Sequence, residues 1–184
     1  ENELLLMFDE VQTGCGRTGE WFGYQHFGVT PDVMTLAKSL CGGIAGGAML
    51  TTAEIAPSLR PGMHAATFGG NPIAARAGIA CIEMIESQNL LQNVANLSQL
   101  FQQRLQALEE NCQWIREVRV VGMMIGIELD VEGGAVVEAC MANDLLVNCT
   151  QGNVVRLLPA MTLTEDQAEQ GCQILADAIQ GLDP

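Results

Sequence analysis

Lysine is almost missing from this chain: Lys38 is the one lysine among 184 residues, although lysine is ordinarily among the commonest residue types. Arginine does not make up the shortfall. Seven arginines lie scattered at 17, 60, 76, 104, 116, 119 and 156 against 22 acidic residues, for a formal charge of −14. Nucleic-acid affinity rests on clustered Lys and Arg, so no nucleic-acid partner is expected, and the surplus negative charge serves solubility. No apolar run approaches the roughly 20 residues that a membrane-spanning helix needs, and no signal or transit sequence is visible. No membrane partner is expected. Histidine is limited to His26 and His64, and the seven cysteines (15, 41, 81, 112, 140, 149, 172) form no C-x-x-C pair. That spacing offers no metal site. Scattered, apolar-flanked cysteines act as small core residues in a reducing compartment, which makes the cytoplasm the expected location.

What is present describes a globular protein. Hydrophobic residues make up 48% and charged residues 16%, too apolar for a disordered chain. The length suffices for one core plus a smaller lobe. The chain starts at Glu1, about three residues ahead of a buried-looking strand in the run at residues 3–8, which gives the expectation of a fragment. That run predicts a strand buried on both faces, as in a parallel sheet, with Asp9 at its carboxyl end. Gly14-Cys15-Gly16-Arg17-Thr18-Gly19 follows and matches the letters of a dinucleotide fingerprint. That fingerprint also requires a helix to open at the glycines, and Glu20–Gly28 is poor helix material. Ala37 before Lys38-Ser39 likewise stands where a P-loop needs glycine.

Downstream, a short segment at Val33–Ala37 delivers Lys38, a glycine cluster (42, 43, 46, 47) follows, and Ala48–Thr51 reads as a strand. A helix begins after the turn-rich Thr67–Pro72. Apolar residues at helical spacing predict a long amphipathic helix over Leu91–Asn111. Then come a strand pair or one bent strand over 118–121 and 123–129, a helix at 135–143, a strand at 154–158 and a helix at 165–179 capped by Thr164. The expected organisation is two α/β domains, 1–90 and 91–184.

A lone lysine is ordinarily a solvated surface amine. Lys38, however, is flanked by Leu36, Ala37, Leu40 and glycines, a setting that can desolvate an amine and free it for Schiff-base chemistry. Pyridoxal phosphate is the cofactor that links an aldehyde to a lysine and needs a carboxylate at its pyridine nitrogen. Asp9 at a strand end supplies such a carboxylate. Either residue alone is weak evidence; the pairing is what carries the reading.

The run Phe8-Asp9-Glu10-Val11-Gln12-Thr13-Gly14, then Gly16-Arg17-Thr18-Gly19, Pro31-Asp32, Thr35-Leu36-Ala37-Lys38 and Thr67-Phe68-Gly69-Gly70-Asn71-Pro72 resembles the class III pyridoxal-phosphate aminotransferases of fold type I. Within that class, Pro61–Gly70, Gly122–Leu129 and Val147–Pro159 are most similar to the acetylornithine aminotransferases of arginine biosynthesis. The resemblance implies an α/β chain comprising part of the cofactor-binding large domain (1–90) and the small carboxyl-terminal domain (91–184). It implies that Lys38 holds the cofactor and shuttles the substrate proton. Asp9 would bind the pyridine nitrogen, Val11 pack on the ring, Gln12 meet the ring hydroxyl, and Thr67 hold the phosphate of a neighbouring subunit's cofactor. Arg156 would grip a substrate carboxylate, with Ala66 at the substrate edge. The implied partners are small amino and oxo acids and a second copy of the chain, in a homodimer with shared active sites.

The implied reaction moves the δ-amino group of N2-acetylornithine to 2-oxoglutarate. The family's amino-terminal half has no counterpart here, so this segment alone is expected to be inactive. Ser39, Ile44-Ala45, Met63 and Ala66 depart from residues usual in the family. Ornithine, succinylornithine, succinyl-diaminopimelate and 4-aminobutyrate aminotransferases remain as alternatives within the class. A non-catalytic α/β binding module remains as one outside it.

Overall fold

The computed structural model describes residues 4–182; the outermost ends of the two expected domains, residues 1–3 and 183–184, lie outside the described residues. The chain divides into two compact units, Glu1–Leu91 and Gln92–Pro184.

The first unit holds a three-stranded sheet in the order β1 (Met7–Asp9), β2 (Val33–Leu36), β3 (Ala48–Thr51). β1 pairs with β2 in parallel, Asp9 lying opposite Thr35, and β3 returns antiparallel to β2. β2 is the buried strand, with Val33, Met34 and Leu36 each at most 7% exposed. β1 corrects an expectation. Its apolar run predicts a strand buried on both faces, but Leu4 is 82% and Met7 62% exposed. The paired part is also shorter than the run, because pairing with β2 begins only at Met7, opposite Val33. Helix α1 (Pro72–Ser87) opens at Asn71, whose side chain accepts the Ile73 N–H at 2.8 Å, with proline at the first helical position. No helix opens at the Gly14–Gly19 loop; the next helical segment is a 3-10 turn at Gly23–Phe27.

The second unit is a four-stranded antiparallel sheet, β4 (Ile115–Val121), β5 (Met124–Leu129), β7 (Val154–Leu157) and β6 (Asn148–Thr150) in that order, packed with three helices. Along β5, buried Ile125, Ile127 and Leu129 alternate with less buried Gly126 and Glu128, so one face looks into the core. Helix α2 (Leu90–Asn111) contributes Val94, Leu97, Phe101, Leu105 and Leu108, spaced three and four apart. α3 (Gly134–Ala142) adds Val136 and Cys140, and α4 (Glu165–Gln180) adds Ala168, Cys172, Leu175 and Ile179. Thr164 and Gln167 cap α4 reciprocally: the threonine hydroxyl accepts the Gln167 N–H, and the glutamine side chain accepts the Thr164 N–H.

Candidate functional site

Because β1 and β2 run parallel, their carboxyl ends share one edge of the sheet, which is where open α/β sheets carry ligands. Asp9 is the last residue of β1, and Lys38 lies two residues past the end of β2. The chain between them returns Gln12 to the lysine: Lys38 Nζ donates to Gln12 Oε1 at 3.3 Å. Asp9 Oδ1 accepts the backbone N–H of Val11 at 3.0 Å, a local bond that orients the carboxylate. Asp9, Val11, Gln12 and Lys38 therefore gather at one sheet edge.

Lys38 has φ +48°. A residue with a Cβ rarely adopts the left-handed region, and where one does, surrounding structure must hold it there. The neighbouring glycines permit that crowding. A Cβ on Gly46 would come within 2.5 Å of Cys41 Sγ, and one on Gly47 within 3.1 Å of the Leu36 carbonyl oxygen. Lys38 itself is exposed within this unit, so the expected burial of its amine is not met by residues 4–91. The apolar neighbours are present, but Leu36 is buried in the core while Lys38 is exposed.

One participant carried no mark in the sequence. Glu10, beside Asp9 at the strand end, is only 3% exposed. Its carboxylate accepts the N–H groups of Gly23 at 2.9 Å and Tyr24 at 2.8 Å, together with the Thr13 hydroxyl. An Asp-Glu pair closing a strand reads as two solvent-facing acids, and the donors that bury one of them are 13 and 14 residues away. Only the tertiary fold brings them in.

Thr67 and Ala66 lie on the exposed stretch 61–70, where the Gly69 N–H donates to the Ala66 carbonyl at 3.0 Å. Ala66 lines an apolar groove of about 640 Å³ with Cys41, Gly46, Phe68, Ile79 and Ile82. Neither Asp9 nor Lys38 borders it, so it is not the centre of the candidate site. Arg156 belongs to the second unit. It stands in β7 between buried Val155 and Leu157 and so faces away from the core, which explains how a charge fits an apolar strand. Its Nε donates to Asn148 Oδ1 at 3.3 Å. On the same sheet Arg116 pairs with Glu128 and Asp130, and Arg119 with Glu117 and Glu128. Among the described residues no carboxylate pairs with Arg156 in this way. No cluster of His, Cys, Asp or Glu among the described residues is arranged to hold a metal ion, and no helix among them is long and apolar enough to cross a membrane.

Residues 1–179 match the family model described as aminotransferase class-III. The acetylornithine aminotransferase of Methanothermobacter thermautotrophicus is 41% identical over 182 residues, covering 99% of this chain and 47% of the relative. Among solved structures, the acetylornithine aminotransferase from Elizabethkingia anophelis superimposes with a TM-score of 0.91 at 32% identity, over 97% of this chain and 46% of that one. The ornithine delta-aminotransferase of Plasmodium falciparum gives the same TM-score, 0.91, at 32% identity, over 96% and 47%. The chain thus spans just under half the length of the proteins it matches.

Proposed function

The chain belongs to the class III aminotransferases and shares the fold of their pyridoxal-phosphate enzymes; from that premise we propose that the complete protein transfers the δ-amino group of N2-acetylornithine to 2-oxoglutarate, giving N-acetylglutamate 5-semialdehyde and glutamate. The observation that carries the reading is the meeting of Gln12 and Lys38, at 3.3 Å, on the edge where Asp9 ends β1.

The residues fit pyridoxal phosphate. Asp9 has one carboxylate oxygen tied back to Val11, leaving Oδ2 for a ring N–H, while the amine of Lys38 is exposed and already touched by an amide. The cofactor, when bound, supplies an aldehyde for a lysine and a ring that accepts the electrons released at the substrate Cα. In this proposal Asp9 keeps the ring nitrogen protonated, Val11 packs on the ring face and Gln12 hydrogen-bonds the ring hydroxyl. The Lys38 amine anchors the cofactor and then takes and returns the substrate proton. The charge-selecting fork of Arg156, free of any carboxylate among the described residues, receives a substrate carboxylate. Ala66 borders the substrate.

We further propose that residues 1–90 form part of the cofactor-binding domain, that 91–184 form the small domain, and that the protein works as a homodimer. Thr67 would there hold the phosphate of the partner's cofactor. The proposed compartment is the cytoplasm, in keeping with seven cysteines that are all free thiols.

Ornithine is the second reading for the amino donor, favoured by the equal TM-score of 0.91 for the ornithine and acetylornithine enzymes. The two donors differ at the α-nitrogen, which is acetylated in one and cationic in the other. A competition assay on the complete enzyme decides. A higher kcat/KM for N2-acetylornithine supports the first reading, and a higher value for ornithine replaces it with the second.

A further inference from the structure

Glu10 is flanked by two residues assigned to the cofactor, Asp9 and Val11, yet its side chain takes no part in that assignment. Hydrogen bonds meet on it from three separate segments. Its backbone N–H donates to the Thr35 carbonyl at 3.0 Å, tying it to β2 three residues ahead of Lys38. Its carbonyl accepts the Gly14 N–H at 2.9 Å, closing the turn that contains Gln12. Its carboxylate accepts the Thr13 hydroxyl and the N–H groups of Gly23 and Tyr24.

The packing around these bonds leaves little freedom. A Cβ on Gly14 would lie 2.8 Å from the Glu10 carbonyl oxygen and 2.9 Å from Leu36 Cδ2. A Cβ on Gly23 would lie 3.0 Å from Thr13 Cβ and 3.3 Å from Glu10 Oε2. Both glycines are where the chain must approach the glutamate most closely. A buried carboxylate is stable only when its acceptor capacity is used, so the 13–24 loop closes onto Glu10 as a unit. Gln12 lies inside that closed turn, and Lys38 lies just beyond the strand to which the Glu10 backbone is bonded.

We propose that Glu10 is a positioning residue for the aminotransferase site: its buried carboxylate fixes the turn that presents Gln12 to Lys38. This rests on the cofactor reading given above. Glu10 touches neither cofactor nor substrate. It acts through Gln12, and through the peptide that orients Asp9. Displacing such a support by about 1 Å can slow chemistry by about 100-fold, because the reacting groups lose their alignment.

The test uses the complete protein loaded with pyridoxal phosphate. Borohydride reduction and peptide mapping first establish whether the wild type carries the cofactor on Lys38. Glu10→Gln retains one acceptor oxygen but turns an NH2 toward donors, and Thr13→Val removes a single donor at nearly constant volume. The expected result for Glu10→Gln is a shifted pH midpoint of the cofactor's visible absorbance and a kcat lower by about 10- to 100-fold. KM for the amino donor should stay close to wild type, because the proposed substrate contacts are untouched. Thr13→Val should move both readouts in the same direction by less.

Variants that lose thermal stability but keep the wild-type pH midpoint and kcat overturn the proposal, since Glu10 would then only hold the loop together. Should Glu10→Gln not fold, Thr13→Val and Gly23→Ala make the same comparison, and unmoved readouts in both overturn it. A wild-type protein without label on Lys38 overturns the cofactor reading and this proposal together. A labelled wild type with unmoved variants overturns this proposal alone.

Discussion

The carboxyl-terminal unit gathers nineteen buried apolar side chains into one cluster, from Val94 on α2 to Ile179 on α4. The amino-terminal unit buries seven and, among the described residues, exposes sixteen of the twenty large apolar side chains left open to solvent. The contrast follows from how the strands are written. β5 alternates, which suits one covered face and one charged face, and α2 and α4 supply the cover. Leu4–Phe8 does not alternate; it is a sequence for a strand covered on both sides, and residues 4–91 do not cover it. The second unit is closed around its core, while the first leaves apolar side chains open among the described residues. The chain spans 47% of its relative's length. Of the proposed site residues, Asp9, Gln12 and Lys38 belong to the first unit and Arg156 to the second.

Substitutions at matched apolar positions would break this comparison most directly. Ile127→Ala or Leu175→Ala, each at a fully buried position, should cost about 2–5 kcal/mol in urea unfolding of this chain. Leu50→Ala in β3, at a position 44% exposed, should stay within about 0.5 kcal/mol. Similar losses at the two kinds of position would mean that the first unit has a closed core after all.

A smaller effect separates the units by pH. Hydrogen bonds from Arg119, and next from Arg116, hold the Glu128 carboxyl below its ordinary range; a bond from Arg104 does the same for Glu169. A carboxyl whose pKa is depressed by folding stabilises the native state above its unfolded pKa and loses that contribution as pH falls through its folded pKa. The thermal midpoint of the second unit should therefore be level near neutrality and decline on the acid side. Added salt should shrink the decline, because these pairs are solvent-accessible. A midpoint that rises with acidification would contradict the assignment of these ion pairs.

Much of this was legible in the sequence, for identifiable reasons. β3 falls at the bounds its sequence predicts, because Ala48–Thr51 stands between glycines and a turn. The helices of the second unit end within one residue of where the sequence predicts, since their apolar spacing is regular and Thr164 is a strong cap. β6 leaves no strand signal in the sequence: Asn148-Cys149-Thr150 has no alternation of its own and takes its register from β7. Exposure of Lys38 was not legible either, because flanking apolar residues say nothing of which way they turn. Glu10 was hidden for the converse reason. Its burial depends on the N–H groups of Gly23 and Tyr24, and backbone donors leave no trace in residue type.

The most direct test of the account is reductive labelling. The complete protein is mixed with pyridoxal phosphate, reduced with borohydride, digested and mapped by mass. The account predicts a pyridoxyl group on Lys38, the one lysine of this segment, and loss of both label and turnover in Lys38→Ala. A folded wild-type protein that binds the cofactor yet carries no label at Lys38, or a Lys38→Ala variant with normal turnover, would contradict it.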